Sequence, residues 1–584
     1  SSYSTEVSAT PAFDGTTIYV DNSPSSAPAN PDGSENNAFY TIQDALESIT
    51  ADGIQILVQP GTYTGSDHGD HPVVEFTGRN VVIESVAGPA TTIIDGEGER
   101  TAISMNYIDG SYGGGYSSST KIIGFTIKNG DDNYPLVDIE GPNYTTTSTN
   151  RVPWNPVFEN CRFMNSTVEH PVGSSWYQER TVITIYRASP TFDGCIFRGL
   201  KRTNDGGSYS WGQNFYAPIR MKGNENYSYS SGFYTPQDSV VYRPKFKNCV
   251  IAGNSNELDS ETINKGHYFY GGAISVGVNA AAYFENTRID SNKIEAGGDY
   301  SGTAPNLYTG SSRDSYSYGG AVHIDIGPKN NPAVRFVNSS ISYNTINGNE
   351  VHGGAVYTRF GQTHFINSVL VQNKANAKYL NSTGSTSTSY HGHARGGAVY
   401  YDLWASFGNN PNYTSKDPEI RIVNSTIADN EVNPISTSTS SSDYGGAGLY
   451  RYVSSYDAVI FNSIMYGNTT STGNVTTSTV NMSTAGSGWG TSNSEVDYSL
   501  IQYASDAGVD EDNVLSTDPK FSAGATVYTL SAASPAIGAG TSNGAPRSDL
   551  NGVSRPSPSN SNPDMGAFEN ALGTRSHNEF IYVN

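Results

Sequence analysis

The chain has 584 residues, with 33 Lys and Arg against 55 Asp and Glu, for a formal net charge of −22. That balance argues against nucleic acid or an anionic membrane surface as a partner, since both need a basic footprint. No apolar run approaches the roughly 18 residues that cross a bilayer. Only 15% of residues are charged, Gly (62) and Tyr (40) are abundant, and amphipathic helical patterns nearly vanish after residue 50. An all-β, turn-rich protein is expected. The start SSYSTEV, without Met, reads as a processed or recombinant form, and the composition suits a secreted monomer.

In chain order, TIQDALESIT (41–50) puts Ile42, Ala45, Leu46 and Ile49 on one helical face, predicting an N-terminal helical cap. GIQILVQPGTYTG then reads as the first strand and turn. Cys161, Cys195 and Cys249 share one phase of a repeated phrase: FENCRF, FDGCIF, FKNCVI. Same-phase residues of a solenoid stack in a column, so buried free thiols are expected rather than a disulfide or zinc site. The phrase continues without cysteine as YFENTRI, RFVNSSI, HFINSVL and RIVNSTI. Eight residues after its apolar anchor come Asn254, Asn292, Asn344, Asn373, Asn430 and Asn468, predicting an Asn ladder.

A second phrase alternates with the first: YGGAISVG (270–277), YGGAVHID (318–325), HGGAVYTR (352–359), RGGAVYYD (395–402) and YGGAGLYR (444–451). Units of two strands and two turns, stacked about 4.8 Å apart, make a parallel β-helix. Long insertions at 199–217, 294–317, 374–394 and 431–443 all enter at one edge of the GGA strand, so long loops should rise on one face as a wall beside it.

The phrase from YVDNS through AFYTIQDALESI to PGTYTG resembles the amino-terminal cap of secreted right-handed parallel β-helix proteins related to pectate-lyase-like enzymes. SPAIGAG (534–540) with PDMGAFEN (563–570) resembles the closing segment of many bacterial β-helix proteins. The resemblance implies one right-handed parallel β-helix domain over 1–584: an N-terminal cap and first coil at 1–65, central coils at 66–500, C-terminal coils and cap at 501–584. Its fold hosts lyases, hydrolases, epimerases and adhesins, so activity must come from the site.

Strand side chains alternate faces. Aligned on GGA, the outward pairs along the stack are Asp138 and Glu140, Thr184 and Tyr186, Arg220 and Lys222, Ser275 and Gly277, His323 and Asp325. Tyr357 and Arg359, Tyr400 and Asp402, Leu449 and Arg451 follow. The plain alternative is cross-strand pairing on a solvated face, but in a chain this poor in charge the gathering of His, Tyr, Arg and Asp suits a groove for an anionic, uronate-containing or sulfated polysaccharide of marine type. Arg220, Lys222, Tyr186, Tyr400 and Arg451 are the candidate substrate contacts.

For a polysaccharide lyase, His323 and Tyr357 are the expected base and acid, with Arg359 or the pair Arg220 and Lys222 neutralising charge. For an inverting hydrolase, Asp325 and Asp402 lie two rungs apart, roughly 9–10 Å between backbones. Arg359 between them should keep both ionised, which ranks hydrolysis second. A β-helical adhesin is the third reading. Calcium, which the resemblance implies as a possible ion, would find oxygen ligands at Asp131 and Asp132 or at Asp138 and Glu140. The lysine and calcium signature of pectate lyases has no residue-by-residue match.

Overall fold

A computed structural model describes residues 17–573, apart from 24–30, 66–70, 107–114, 143–152, 171–179, 205–213, 229–232, 237–239, 259–266, 297–315, 326–332, 360, 378–391, 403–418, 435–443, 453–456, 472–481, 486–494, 505–508, 510–512 and 525–527. Most of the predicted loop wall falls outside the described residues.

Among the described residues, successive coils pair strand on strand in parallel along three long faces, which makes the chain a parallel β-helix. The first face, 13 strands from Thr17–Val20 to Glu495–Asp497, carries the apolar anchors. Phe158, Phe192, Phe246, Phe284, Phe336 and Phe365 stack inside it, with successive ring centroids 4.8 to 5.1 Å apart. Each such pair adds about 0.5–1.5 kcal/mol beyond its buried area.

The turn out of this face needs a left-handed residue, and Asn supplies it at 160, 248, 286, 338, 367, 424 and 462, with φ of 44 to 53°. The small residue that follows is the cysteine position: Cys161, Cys195 and Cys249 are free and buried in one column, continued by Thr287, Ser339, Ser368, Ser425 and Ser463. The third face then bends at the Asn ladder. Each Nδ2 donates to the next Oδ1 from Asn254 through Asn292, Asn344, Asn373 and Asn430 to Asn468, at 2.8 to 3.0 Å. All six are buried.

After the insertions the chain returns through a six-stranded parallel sheet, from Asn214–Tyr216 to Tyr444–Gly445, that the sequence had not revealed. This wall sheet has its own small core, including Phe215, Phe269, Ile294 and Val351. A glycine pair turns the chain from the wall into the second long face. Gly353 has φ +79°, and a Cβ on Gly354 would lie 2.1 Å from the carbonyl oxygen of Gly397 on the next coil, so both places exclude other residues.

The expected helical cap is not seen. A six-residue helix, Ile42–Glu47, capped by the Thr41 side chain, buries Ile42, Ala45 and Leu46 against the core instead. Among the described residues no helix is long and apolar enough to cross a membrane. At the other end, the segment carrying SPAIGAG and PDMGAFEN runs back along the side of the coils. Asn462 exchanges two hydrogen bonds with Thr541, Asn424 donates to Asp564, and Arg555 donates to Asn367. Arg555 and Glu569 form an ion pair at 3.2 Å, with both side chains 0% exposed.

Candidate active site

The second long face holds the residues singled out above. Strands Ile219–Lys222, Ile274–Val276, Val322–Asp325, Val356–Arg359, Val399–Asp402 and Leu449–Tyr452 pair in register. Val322 and Ile324, Val356 and Thr358, Val399 and Tyr401 fill the interior. His323, Tyr357 and Tyr400 form one outward column, and Asp325, Arg359 and Asp402 a second.

The last rung departs from the expected alignment. Tyr450 pairs with Tyr400 and Arg451 with Tyr401, so Leu449 and Arg451 turn inward while Tyr450 and Tyr452 face out. The left-handed glycine of this copy is Gly446 (φ +57°), matching Gly396 (φ +67°), so the equivalent triplet in YGGAGLYR is GAG rather than GGA. A one-residue slip exchanges the two faces of a strand. Arg451 is therefore enclosed in the solenoid, where burial pushes its pKa down to about 10. It is not a groove cation.

The first outward column is also covered, because the wall sheet folds back over it. Tyr216, Tyr270, Tyr318, His352 and Arg395 occupy one register position of the wall. Arg220 lies under Tyr216, its guanidinium 3.1 Å from the ring centroid, and is 2% exposed. His323 sits 4.7 Å from Tyr270 and 6.2 Å from Tyr318, and stacks on Tyr357 at 5.3 Å. Burial, reinforced by Arg359 and Arg220, drives its pKa well below the usual histidine value, and its Nδ1 has no hydrogen-bond partner among the described residues. Arg220 as a substrate contact and His323 as a base both fail on access; Tyr357 is as covered, at 3% exposed, and differs in that its hydroxyl reaches the second column, at Asp402. Tyr400 belongs to the same buried stack, between His352 at 4.5 Å and Tyr450 at 5.1 Å, so it packs rather than binds.

What faces the groove is the second column. Asp325 and Arg359 are half-buried, with Arg359 Nη1 4.0 Å from Asp325 Oδ2. Asp402, also half-buried, accepts a 2.6 Å hydrogen bond from the Tyr357 hydroxyl at Oδ2, and its Oδ1 has no hydrogen-bond partner among the described residues. Burial raises the Asp402 pKa above the usual aspartate value even though Arg359 and the Tyr357 hydrogen bond oppose it. Desolvation thus works against the expectation that Arg359 keeps this carboxyl ionised. Burial, then the Asp402 charge, pushes the Tyr357 phenol well above its usual value, so it keeps its proton. Burial opposes the charge of Arg359, but Asp325, Tyr357 and Asp402 outweigh it and hold the guanidinium protonated.

Farther up the groove, Lys222 lies over Tyr186, 4.6 Å from the ring centroid, and both remain half-buried. Asp138 accepts from Asn106 and is raised to about 6 by burial, and Glu140 is bonded by Arg187. Asp131 accepts from the backbone of Asn133. Among the described residues no group of three or more His, Cys, Asp and Glu side chains is placed to hold a metal ion.

The sequence reading missed the wall residues. Their signal was the letter before each glycine pair, Tyr270, Tyr318, His352 and Arg395.

No protein-family model matches the chain, and no curated protein does. Among solved structures it is similar to the crystal structure of pectate lyase Pel9A, at 13% identity over 95% of this chain and 98% of that one, with a TM-score of 0.28. It is also similar to a rhamnogalacturonan lyase, at 13% identity over 83% and 87%, with a TM-score of 0.21. Likenesses this slight carry no argument about chemistry.

Proposed function

We propose that the protein is a secreted polysaccharide lyase that cleaves an anionic, uronate-containing polysaccharide by β-elimination. The observation that carries this reading is the hydrogen bond from Tyr357 to Asp402 beside the Arg359 guanidinium. Elimination needs three things at one place: a cation for the sugar carboxylate, a base for the adjacent carbon-bound proton, and an acid for the leaving oxygen. Arg359 pairs with the carboxylate and draws charge away from the neighbouring C–H bond. Asp402 takes that proton, and its raised pKa makes it a stronger base than an ordinary aspartate. The C–H electrons become the new C=C bond, the C–O bond breaks, and Tyr357 gives its phenolic proton to the leaving oxygen. The proton on Asp402 then passes to the phenolate oxygen along their hydrogen bond, and both groups return to their starting state.

The raised Asp402 pKa also favours a second reading, inverting hydrolysis, in which a protonated Asp402 is the general acid and Asp325, two rungs away, is the base. Incubation with alginate, pectin, ulvan, carrageenan and fucoidan separates the two. New reducing ends with absorbance near 235 nm support elimination. Reducing ends from a uronate polymer without that absorbance overturn it in favour of hydrolysis, and no reaction on any polymer leaves a display rod.

A further inference from the structure

The wall sheet changes character along its length. At Tyr268–Tyr270 and Tyr316–Tyr318 it presents tyrosine at both positions of one face. One coil later the same positions hold Glu350 and His352, and the next strand, Ala394–Arg395, brings His393 and Arg395 beside them. These four side chains form one network. His393 Nδ1 is 3.0 Å from Glu350 Oε2, Arg395 Nη1 donates to His352 Nε2 at 3.1 Å, and Arg395 Nη2 lies 3.2 Å from His393 Nδ1. Glu350 and His352 are buried, while His393 and Arg395 are half-buried at the lip.

Two facts tie the network to the groove. His352 stacks on Tyr400 at 4.5 Å and lies 5.5 Å from Tyr318, so it is part of the corner behind Tyr357. Arg395 is also near enough to Asp402 that its charge works to lower that carboxyl's pKa. Burial, then Arg395 and His393, keeps His352 neutral, which suits it to accept from Arg395 rather than repel it. The buried carboxylate of Glu350 thus braces the His393 imidazole, and the Arg395 guanidinium is held between His393 and His352 at the edge of the groove. Arg395 precedes the Val399–Asp402 strand, whereas Arg359 lies on the strand one coil earlier. The groove therefore has cations on two walls, one rung apart, spaced about 4.8 Å along the axis.

We propose that Arg395 and His393 form a second anion subsite, which takes the carboxylate or sulfate of the sugar adjacent to the one held by Arg359. This rests on the reading of the groove as a polysaccharide site, but its test does not need turnover. Electrophoresis through gels containing a polyuronate (alginate), a sulfated galactan (carrageenan) or a neutral glucan measures binding directly. The expected result is that Arg395→Gln weakens retardation by the anionic polymer about tenfold, the loss of one charge-assisted contact, and that His393→Gln weakens it less. Arg395→Lys should recover part of the loss, and the neutral gel should show no change. Whichever of alginate and carrageenan shows the variant-dependent loss names the anion.

Unchanged retardation in the folded Arg395→Gln and His393→Gln variants overturns the subsite, as does absence of wild-type retardation in both anionic gels. Folding is checked by circular dichroism, and His393→Gln at the lip keeps the test decisive if Arg395→Gln does not fold. Loss of retardation in Arg395→Gln, together with absence of cleavage by the wild type, leaves the subsite standing and removes only the lyase reading. Cleavage without variant-dependent retardation does the reverse.

Discussion

The Asn column from Asn254 to Asn468 and the outward column from Ser275 to Tyr450 ride on the same parallel register, one coil per step. In the first, every rung holds the same amide, because each Asn must donate to the one above and accept from the one below. In the second the letters change from Ser to His to Tyr, and the wall facing them changes from Tyr to His to Arg. Both columns are largely buried, so burial alone does not separate scaffold from site. The difference lies in what the polar atoms do: the ladder satisfies itself along its own axis, whereas in the corner His323 Nδ1, His352 Nδ1 and Asp402 Oδ1 have no hydrogen-bond partner among the described residues. Unsatisfied buried groups cost stability, so a protein that keeps several in one place is expected to use them.

Five substitutions or titrations can break or sharpen this contrast. Tyr357→Phe removes one hydroxyl from the corner, and it should lower kcat by about 10²–10⁴-fold while leaving thermal unfolding nearly unchanged. A drop in stability without loss of turnover would assign Tyr357 to the scaffold. Asn344→Ala should do the opposite. It removes the side-chain hydrogen bonds to Asn373 and Ile289 and the Oδ1 that accepts from both the backbone and the side-chain amide of Asn292. A loss of about 2–4 kcal/mol in urea unfolding is expected, with kcat preserved at 25 °C.

Third, the rate on a uronate polymer should rise with pH through the raised pKa of Asp402, by up to tenfold per unit on the acid limb, because elimination needs the carboxylate ionised. A rate that falls as pH rises through the same range is the sign of a protonated Asp402, and moves the protein to the hydrolase reading. The smallest effect is expected from Arg451→Met. Since Arg451 is inside the solenoid, cleavage should be unchanged and stability altered by only about 1–2 kcal/mol, whereas Arg359→Met should abolish turnover. Equal loss from both would contradict the inward placement of Arg451.

The periodic parts of this molecule were readable from the sequence, because a solenoid repeats its structural requirement at each coil. The six ladder asparagines, the column of Cys161, Cys195 and Cys249, and the pairing of Val322 with Val356 and Val399 all followed from spacing. Two things escaped it. In YGGAGLYR two overlapping glycine triplets are available, and only the position of the left-handed residue, Gly446, decides which one starts the strand. The wall strands escaped because they are short and follow long insertions. Their inward letters alternate too briefly to announce a sheet, although Phe215, Phe269 and Val351 do so once the register is known. The site was therefore half legible: Asp325, Tyr357, Arg359 and Asp402 stood on the correct face, but what covers His323 and Arg220 came from another sheet.

The segment from Arg555 to Ala567 has a consequence for how the molecule is made. Arg555 reaches back to Asn367, and Asp564 and Ala567 bond to Asn424 and Thr426. During synthesis from the amino terminus, the coils that carry Asp402 and its neighbours emerge long before these partners exist. They wait with open flanks until the segment from Arg555 to Ala567 leaves the ribosome. Assembly of the solenoid is thus completed from behind, and a chain truncated before residue 555 is expected to release its later coils to proteolysis while the earlier ones stay closed.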